Sequence, residues 1–336
     1  MIQRNVSLRE FNTFGIDVKA TAFARFHSVD ELKQLLSDNN GELPLFILGG
    51  GSNILFTKDV DALVLRNELK GITVVAETED TIDLKVGAGE EWHGFVRYAV
   101  EQGYGGIENM SLIPGSVGAS PMQNIGAYGV EIKDCFVSLE ALHIATQELH
   151  TFTNADCAFG YRESVFKRDL KGQYIITAVT YRLQKEPTFN TAYGAIQSEL
   201  ELMEVNDLSV GAISQAVMNI RSSKLPNPKE LGNAGSFFKN PVVSKELCEQ
   251  LLGRFPNMPH YPQPDGTEKL AAGWLIEQAG WKGRRVGNCG VHEKQALVLV
   301  NYGGATGNEL YALSQAVLDD VNARFGVLLE REVNIL

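Results

Sequence analysis

Two glycine-rich segments are where this chain could do chemistry. Leu45-Phe46-Ile47-Leu48 reads as a short buried strand that runs straight into Gly49-Gly50-Gly51-Ser52-Asn53. Successive backbone N–H groups are exposed there with no side chains in the way, and such a nest binds phosphate oxygens. Ser52 and Asn53 add side-chain donors. No Lys-Ser or Lys-Thr follows, so this is not a Walker loop, and it is not GxGxxG opening a long helix. Alone it reads equally well as a plain tight turn. The second segment, Ile113 to Gly129, supplies Pro114, Gly115, Ser116, Gly118, Ala119, Ser120, Asn124, Gly126, Ala127 and Tyr128. A compact domain does not usually keep so long a loop without a use for it. Two such loops in neighbouring units suit a long dinucleotide such as FAD. The cysteines, Cys135, Cys157, Cys248 and Cys289, form no CxxC pair, and the histidines form no HExxH or close HxH pattern, so no metal site is expected.

The elements that must position these loops alternate irregularly. Ser28-Val29-Asp30-Glu31 is a capping box that opens a helix to about Leu36. After the first loop, Asp61 to Leu65 reads as the next strand. Gly71 to Ala76 and Ile82 to Val86 are β-rich. Glu90 to Gln102 is helical, with Trp92, Phe95, Val96 and Ala99 on one face. Strands follow the second loop at Phe136 to Ile144 and Tyr174 to Leu183. The last third is expected to hold helices at Val210 to Ser222, Lys245 to Leu252, Glu268 to Gln278 and Asn308 to Phe325. Its strands are expected around Ser236-Phe237-Phe238, at Gln295 to Val300 and at Leu328 to Ile335. Strands, a lone helix, then strands point to an α+β fold rather than a regular βαβ winding. The expected division is 1–67, 68–208 and 209–336.

The 336 residues carry a net charge of −11, with 44% hydrophobic and 21% charged residues. These are ordinary globular values, and the scattered cysteines fit reduced thiols rather than a disulfide scaffold. No long basic run is present, so nucleic acid is not an expected partner. Met1 to Glu10 has no apolar stretch, so no secretory signal is expected. The longest charge-free stretch, Asn109 to Val130, is rich in Gly, Ser and Pro rather than aliphatics, and reads as loop rather than membrane span. A cytoplasmic enzyme is the expectation. An acidic protein that binds anions must gather positive charge locally.

Six separated segments, in order along essentially the whole chain, resemble the MurB family of UDP-N-acetylenolpyruvoylglucosamine reductases. They are Asn12-Thr13-Phe14-Gly15-Ile16, Leu48 to Asn53, Pro114 to Gly129, Phe159-Gly160-Tyr161-Arg162-Glu163-Ser164, Gly232 to Pro241, and Leu329-Glu330-Arg331-Glu332-Val333. The resemblance implies an FAD-binding region of the vanillyl-alcohol-oxidase type, made of two α/β subdomains, followed by a C-terminal α+β substrate domain. It places the FAD pyrophosphate against Gly49, Gly50, Gly51, Ser52 and Asn53, and the ring near the second loop. Neither loop contains a His or Cys, so the flavin is expected to be non-covalent.

The same resemblance implies the roles. Hydride from reduced flavin attacks an enolpyruvyl double bond, and the charge that develops needs fixed donors and a proton. Arg162 matches the arginine that steadies the enolate, Ser236 the proton donor, and Glu332 the catalytic glutamate that acts with Arg162 on the enolate. By spacing alone these three would read as a salt-bridge arginine, a turn serine and a solvated glutamate. Lys239, close behind Ser236, adds positive charge. Tyr193, Lys224, Asn240, Tyr261, Lys269 and Gln295 match substrate-contacting positions, and Tyr193 places the chain in the longer class that carries a tyrosine loop. NADPH as hydride donor, a UDP-sugar as substrate, alternate use of one cleft, and a monomeric state follow from the resemblance. The rivals left open are an FAD-dependent sugar or alcohol oxidase of the same flavin fold, and a binding protein without turnover.

Overall fold

Ser28 opens the first helix much as its capping sequence suggests. The computed structural model describes residues 1–336, and Ser28 Oγ accepts the N–H of Glu31 at 3.1 Å at the start of helix Val29–Asn39. The reciprocal half differs from a capping box. The Glu31 carboxylate accepts the N–H of His27, at 2.7 Å, in place of the Ser28 N–H. Asn40, in the left-handed region at φ 43°, ends the helix.

The chain divides into two compact units. One comprises Met1–Val6, Ala20–Gly50 and Asp61–Ser223; the other comprises Ser7–Lys19, Gly51–Val60 and Lys224–Leu336. This differs from the expected division at 67 and 208. Two short segments of the first expected domain fold with the C-terminal unit, because their hydrogen bonds go there. Thr13 N–H donates to Gly51 O at 3.1 Å, Asn233 N–H to Thr13 O at 3.0 Å, and Asn301 Nδ2 to Phe14 O at 2.9 Å. Gly232 packs so closely on the Phe14 carbonyl that an added Cβ would lie 2.5 Å from it.

The first unit holds two sheets. In one, strands run in the order Gln3–Ser7, Lys19–Phe26, Val60–Asn67, Leu45–Leu48, with the last two parallel and Leu45 opposite Leu63. In the other the order is Leu149–Thr153, Phe136–His143, Tyr174–Gln184, Thr81–Gly87, Ile72–Glu77, all antiparallel. Helix Trp92–Glu101 lays Trp92, Phe95, Val96 and Ala99 on this sheet, against Leu84, Val86, Val179 and Tyr181, all fully buried or nearly so. The face read from the helical period is the face buried. Helix Gly194–Leu202 is an element the periodicity did not disclose. It packs Ile196 and Leu200 on Ile213, Val217 and Ile220 of helix Val210–Lys224.

The second unit is built on a sheet of order Gly232–Ser236, Val298–Asn301, Cys289–Val291, Arg285–Val286, with the long helix Gly307–Phe325 packed against it. Thr306 and Glu309 cap that helix reciprocally, and Gly326 at φ 67° stops it. Two expected elements differ. Glu268–Leu270 is a strand, paired on both sides by Val242–Val243 and His260–Pro262, and the helix starts only at Ala272. Sheet pairing on both edges overrides helical propensity there. The final stretch is extended without continuous pairing. Only Asn334–Ile335 pairs, in parallel, with Ile54–Leu55, while Arg331 makes an isolated bridge to Phe238. No helix is long and apolar enough to cross a membrane. The fold is α+β.

Candidate active site

Gly49 and Gly50 lie against the second glycine segment within the first unit. A Cβ on Gly50 would sit 2.7 Å from the Gly115 Cα, and one on Gly49 would sit 2.5 Å from the Ser116 Oγ. Real Cβ atoms do not approach so closely, so the two loops touch only because side chains are missing. Arg66, from strand Val60–Asn67, donates through Nη1 to the Gly49 carbonyl at 2.5 Å and holds the strand end. Ser52 and Asn53 continue the run in the second unit, where Asn53 Nδ2 donates to the Glu332 carbonyl at 3.3 Å.

The second segment has more structure than a loop. Val117–Ala119 forms a 3-10 turn, and Gly118 is pressed on Ala88. The Ser120 Oγ and Tyr181 hydroxyl share a buried hydrogen bond of 2.6 Å. Gly126–Ala127 and Val130–Glu131 pair as a small hairpin. Its turn residues, Tyr128 at φ 50° and Gly129 at φ 81°, both take the left-handed shape that a tight two-residue turn needs. Asn124 is fully buried. Its amide donates to Glu131 Oε2 and Gly160 O, and accepts from Lys133 N–H. The side chains of Ser120 and Asn124 are thus occupied in holding the segment's shape.

Arg162 is clamped to this segment. It sits in the turn Gly160–Glu163, whose ends exchange two backbone hydrogen bonds of 3.0 and 3.2 Å. Its φ is 55°, a conformation that costs a non-glycine residue about 1–2 kcal/mol. Its Nη2 donates to the Gly126 carbonyl at 2.9 Å. Asn124 to Gly160 and Ser164 Oγ to Met122 O fasten the same two segments on either side. Strained backbone at a polar residue, held by neighbours on both sides, is a mark of functional sites.

Lys224, an expected substrate contact, ends helix Val210–Lys224, and Arg221, for which the sequence carries no expectation, lies one turn earlier. The structure gathers Arg221 with Tyr128 and Arg162. Burial weakens the hold of Arg221 on its proton, the Arg162 charge adds to this, and the Tyr128 phenol opposes it. Burial likewise raises the Tyr128 phenol above its ordinary value. A phenol and two guanidiniums gathered in a half-buried spot make a site for an anion. Two buried atoms here, Arg221 Nε and Asn109 Oδ1, have no hydrogen-bond partner in the protein, as though a polar ligand completes them. Asn109 Nδ2 is fixed on the Tyr128 and Asn190 carbonyls. The exposed Tyr193 ring meets Tyr128 edge-on, with centroids 5.3 Å apart. The helical signal for Arg221 was its position facing inward near a helix end, which one sequence does not separate from a surface arginine.

In the second unit, Ser236 ends strand Gly232–Ser236 and is exposed, flanked by fully buried Phe237 and Phe238. Glu332 is brought beside this strand: its N–H donates to the Phe237 carbonyl at 2.8 Å. Lys239 pairs with Glu330 at 3.2 Å, so part of its charge is spent away from Ser236. Asn240 Oδ1 accepts the N–H of Ala272 at 3.0 Å and so caps helix Ala272–Gln278. Tyr261 and Lys269 stand opposite each other on paired strands, and Gln295 Oε1 accepts the N–H of Leu297 at 3.3 Å.

Residues 20–153 match the family model of an FAD binding domain, and residues 227–336 match the C-terminal domain of UDP-N-acetylenolpyruvoylglucosamine reductase. The reductase of that name from Flavobacterium johnsoniae is 54% identical over 100% of this chain and 99% of its own length. The crystal structure of the Thermus caldophilus reductase superposes with a TM-score of 0.69 at 23% identity, covering 100% of this chain and 98% of that one. The structure of 6-hydroxy-D-nicotine oxidase from Arthrobacter nicotinovorans superposes with a TM-score of 0.55 at 11% identity over 98% of this chain and 86% of that one, a likeness of fold alone.

Proposed function

The chain belongs to the UDP-N-acetylenolpyruvoylglucosamine reductase family, and on that footing we propose that it reduces the enolpyruvyl group of UDP-N-acetylglucosamine enolpyruvate to UDP-N-acetylmuramate with NADPH as donor. It is a cytoplasmic, monomeric flavoenzyme that acts in peptidoglycan precursor synthesis, without nucleic acid or membrane partners.

FAD fits the residues present. The touching glycine loops leave a bare backbone edge for a pyrophosphate, and the orphaned Arg221 and Asn109 atoms leave polar capacity for a ligand. Gly49, Gly50, Gly51, Ser52 and Asn53 would hold the diphosphate, and the segment Pro114 to Tyr128 would hold the rest. FAD held there would supply the hydride chemistry that links NADPH to the terminal carbon of the enolpyruvyl double bond.

The chain's own residues handle the charge and the proton. Arg162 offers a planar fork to the substrate carboxylate as the enolate develops. Its strained, clamped backbone fixes the fork before substrate arrives, so little reorganisation is needed at the moment of reaction. Ser236 gives its hydroxyl proton to the carbon next to the carboxylate, and Glu332, carrying its proton, donates a hydrogen bond to the charge that builds there. Tyr193, Lys224, Asn240, Tyr261, Lys269 and Gln295 bind the UDP-sugar, Lys224 through its charge to the diphosphate.

The observation that carries this reading is Arg162, strained at φ 55° and bonded to Gly126, in the same cluster as Arg221. Anaerobic stopped-flow tests it. NADPH should bleach the yellow protein and the enolpyruvyl nucleotide should restore the colour. Bleaching by a simple alcohol with peroxide release in air would make it an oxidase. No bleaching by any donor would make it a binding protein.

A further inference from the structure

A cluster in the second unit, apart from the residues assigned above, joins a thiol, an imidazole and a carboxylate. Cys248 comes from helix Lys245–Arg254, His260 from strand His260–Pro262, and Glu268 from the strand paired with it. One ligating atom from each lies within 4.8 Å of the other two. His260 Nδ1 and Glu268 Oε2 are already 2.9 Å apart. Cys248 is 1% exposed and Glu268 is 9% exposed.

Without a cation this is an awkward arrangement. A buried thiol lies beside a buried carboxylate, two groups whose charged forms burial disfavours. A doubly charged cation reverses that logic, since it favours both anions.

We propose that Cys248, His260 and Glu268 form a three-ligand site for a divalent transition-metal ion of the zinc class, with water in the fourth position. Sulfur, nitrogen and oxygen donors together suit zinc better than magnesium or calcium, which take oxygen. With metal–ligand bonds of about 2.0–2.3 Å, tetrahedral donors stand roughly 3–4 Å apart, so small side-chain rotations complete the set. On binding, the Cys248 thiol releases its proton to solvent. His260 coordinates through Nδ1 and keeps its proton on Nε2, so the imidazole stays neutral. Glu268 enters as the carboxylate. Two negative ligands and a 2+ ion sum to zero charge, the least costly outcome for a buried site. The ion ties helix Lys245–Arg254 to the strand pair that carries Tyr261 and Lys269.

The test uses the purified flavoprotein, stripped with a chelator and titrated with Co²⁺, whose ligand-field bands fall in the red beyond flavin absorption. One equivalent should produce tetrahedral-type bands with a thiolate charge-transfer feature and raise Tm. Glu268→Gln and His260→Asn should weaken affinity about tenfold or more, and Cys248→Ser should remove the thiolate feature. No stoichiometric Co²⁺ binding overturns the proposal, as does an unchanged spectrum in Cys248→Ser. Should Cys248→Ser fail to fold, unchanged affinity in the near-isosteric Glu268→Gln overturns it equally. Bleaching by NADPH is scored separately, so loss of the metal site and loss of the flavin reading are distinguishable.

Discussion

The backbone N–H of Glu332 donates to the carbonyl of Phe237 at 2.8 Å, one residue along from Ser236. The strand itself is fixed from its other side, with Ser236 opposite Val298 and Phe237 N–H bonded to Leu297 O at 2.7 Å. Two ends of the second unit's chain are therefore held together by main-chain bonds that side-chain substitutions leave in place.

Ser236→Ala removes only the hydroxyl and keeps this stitching. Flavin reduction by NADPH should stay near normal, while reoxidation by the enolpyruvyl nucleotide should slow by about 10²- to 10⁴-fold, the usual span for general acid catalysis. Single-turnover kinetics of each half-reaction checks it. Equal slowing of both halves would make the serine structural.

Arg162→Lys keeps a positive charge and loses the fork. The second half-reaction should lose on the order of 3 kcal/mol of transition-state stabilisation, with NADPH reduction little changed. Normal reoxidation of the flavin in this variant would remove Arg162 from the mechanism.

Gly50→Ala places a methyl group 2.7 Å from the Gly115 Cα and 3.1 Å from its carbonyl carbon, both main-chain atoms. Overpacking of this kind costs about 1–3 kcal/mol, and FAD retention on gel filtration should fall with it. Gly253→Ala is the control. Nothing lies within 4 Å of that position in helix Lys245–Arg254, so stability should hold or rise by up to about 1 kcal/mol.

His93 gives a pH dependence. Its Nδ1 accepts the N–H of Leu112 at 3.0 Å, which requires that nitrogen to be unprotonated. Burial, then the Arg97 and Arg221 charges, lower its pKa from the ordinary 6.5, against the pull of Glu91. With the folded value depressed, the unfolded chain binds the proton first as pH falls. The contribution to stability is full above about pH 6.5 and is lost as pH drops through the folded value. Tm measured from about pH 8 to about pH 5 should fall less in His93→Gln than in the parent. Parallel curves would show that His93 does not contribute.

What the sequence determined by itself is chemical and local. Glycine runs, the cap at Ser28, the buried face of Trp92–Glu101 and six ordered motifs are contiguous or nearly so, and backbone shape over a few residues is set by the residues present. The family and its FAD were legible from those stretches, and the roles proposed for Arg162, Ser236 and Glu332 rest on the same motifs. The tertiary structure alone decided which distant pieces meet: Asn12–Ile16 with Asn233 and Asn301, Arg221 with Tyr128 and Arg162, and Cys248 with His260 and Glu268. It also turned Glu268–Leu270 from an expected helix into a strand by pairing both its edges. Periodicity reports which face of an element is buried. It does not report against what, because that choice rests on packing and hydrogen bonds between residues far apart in the chain.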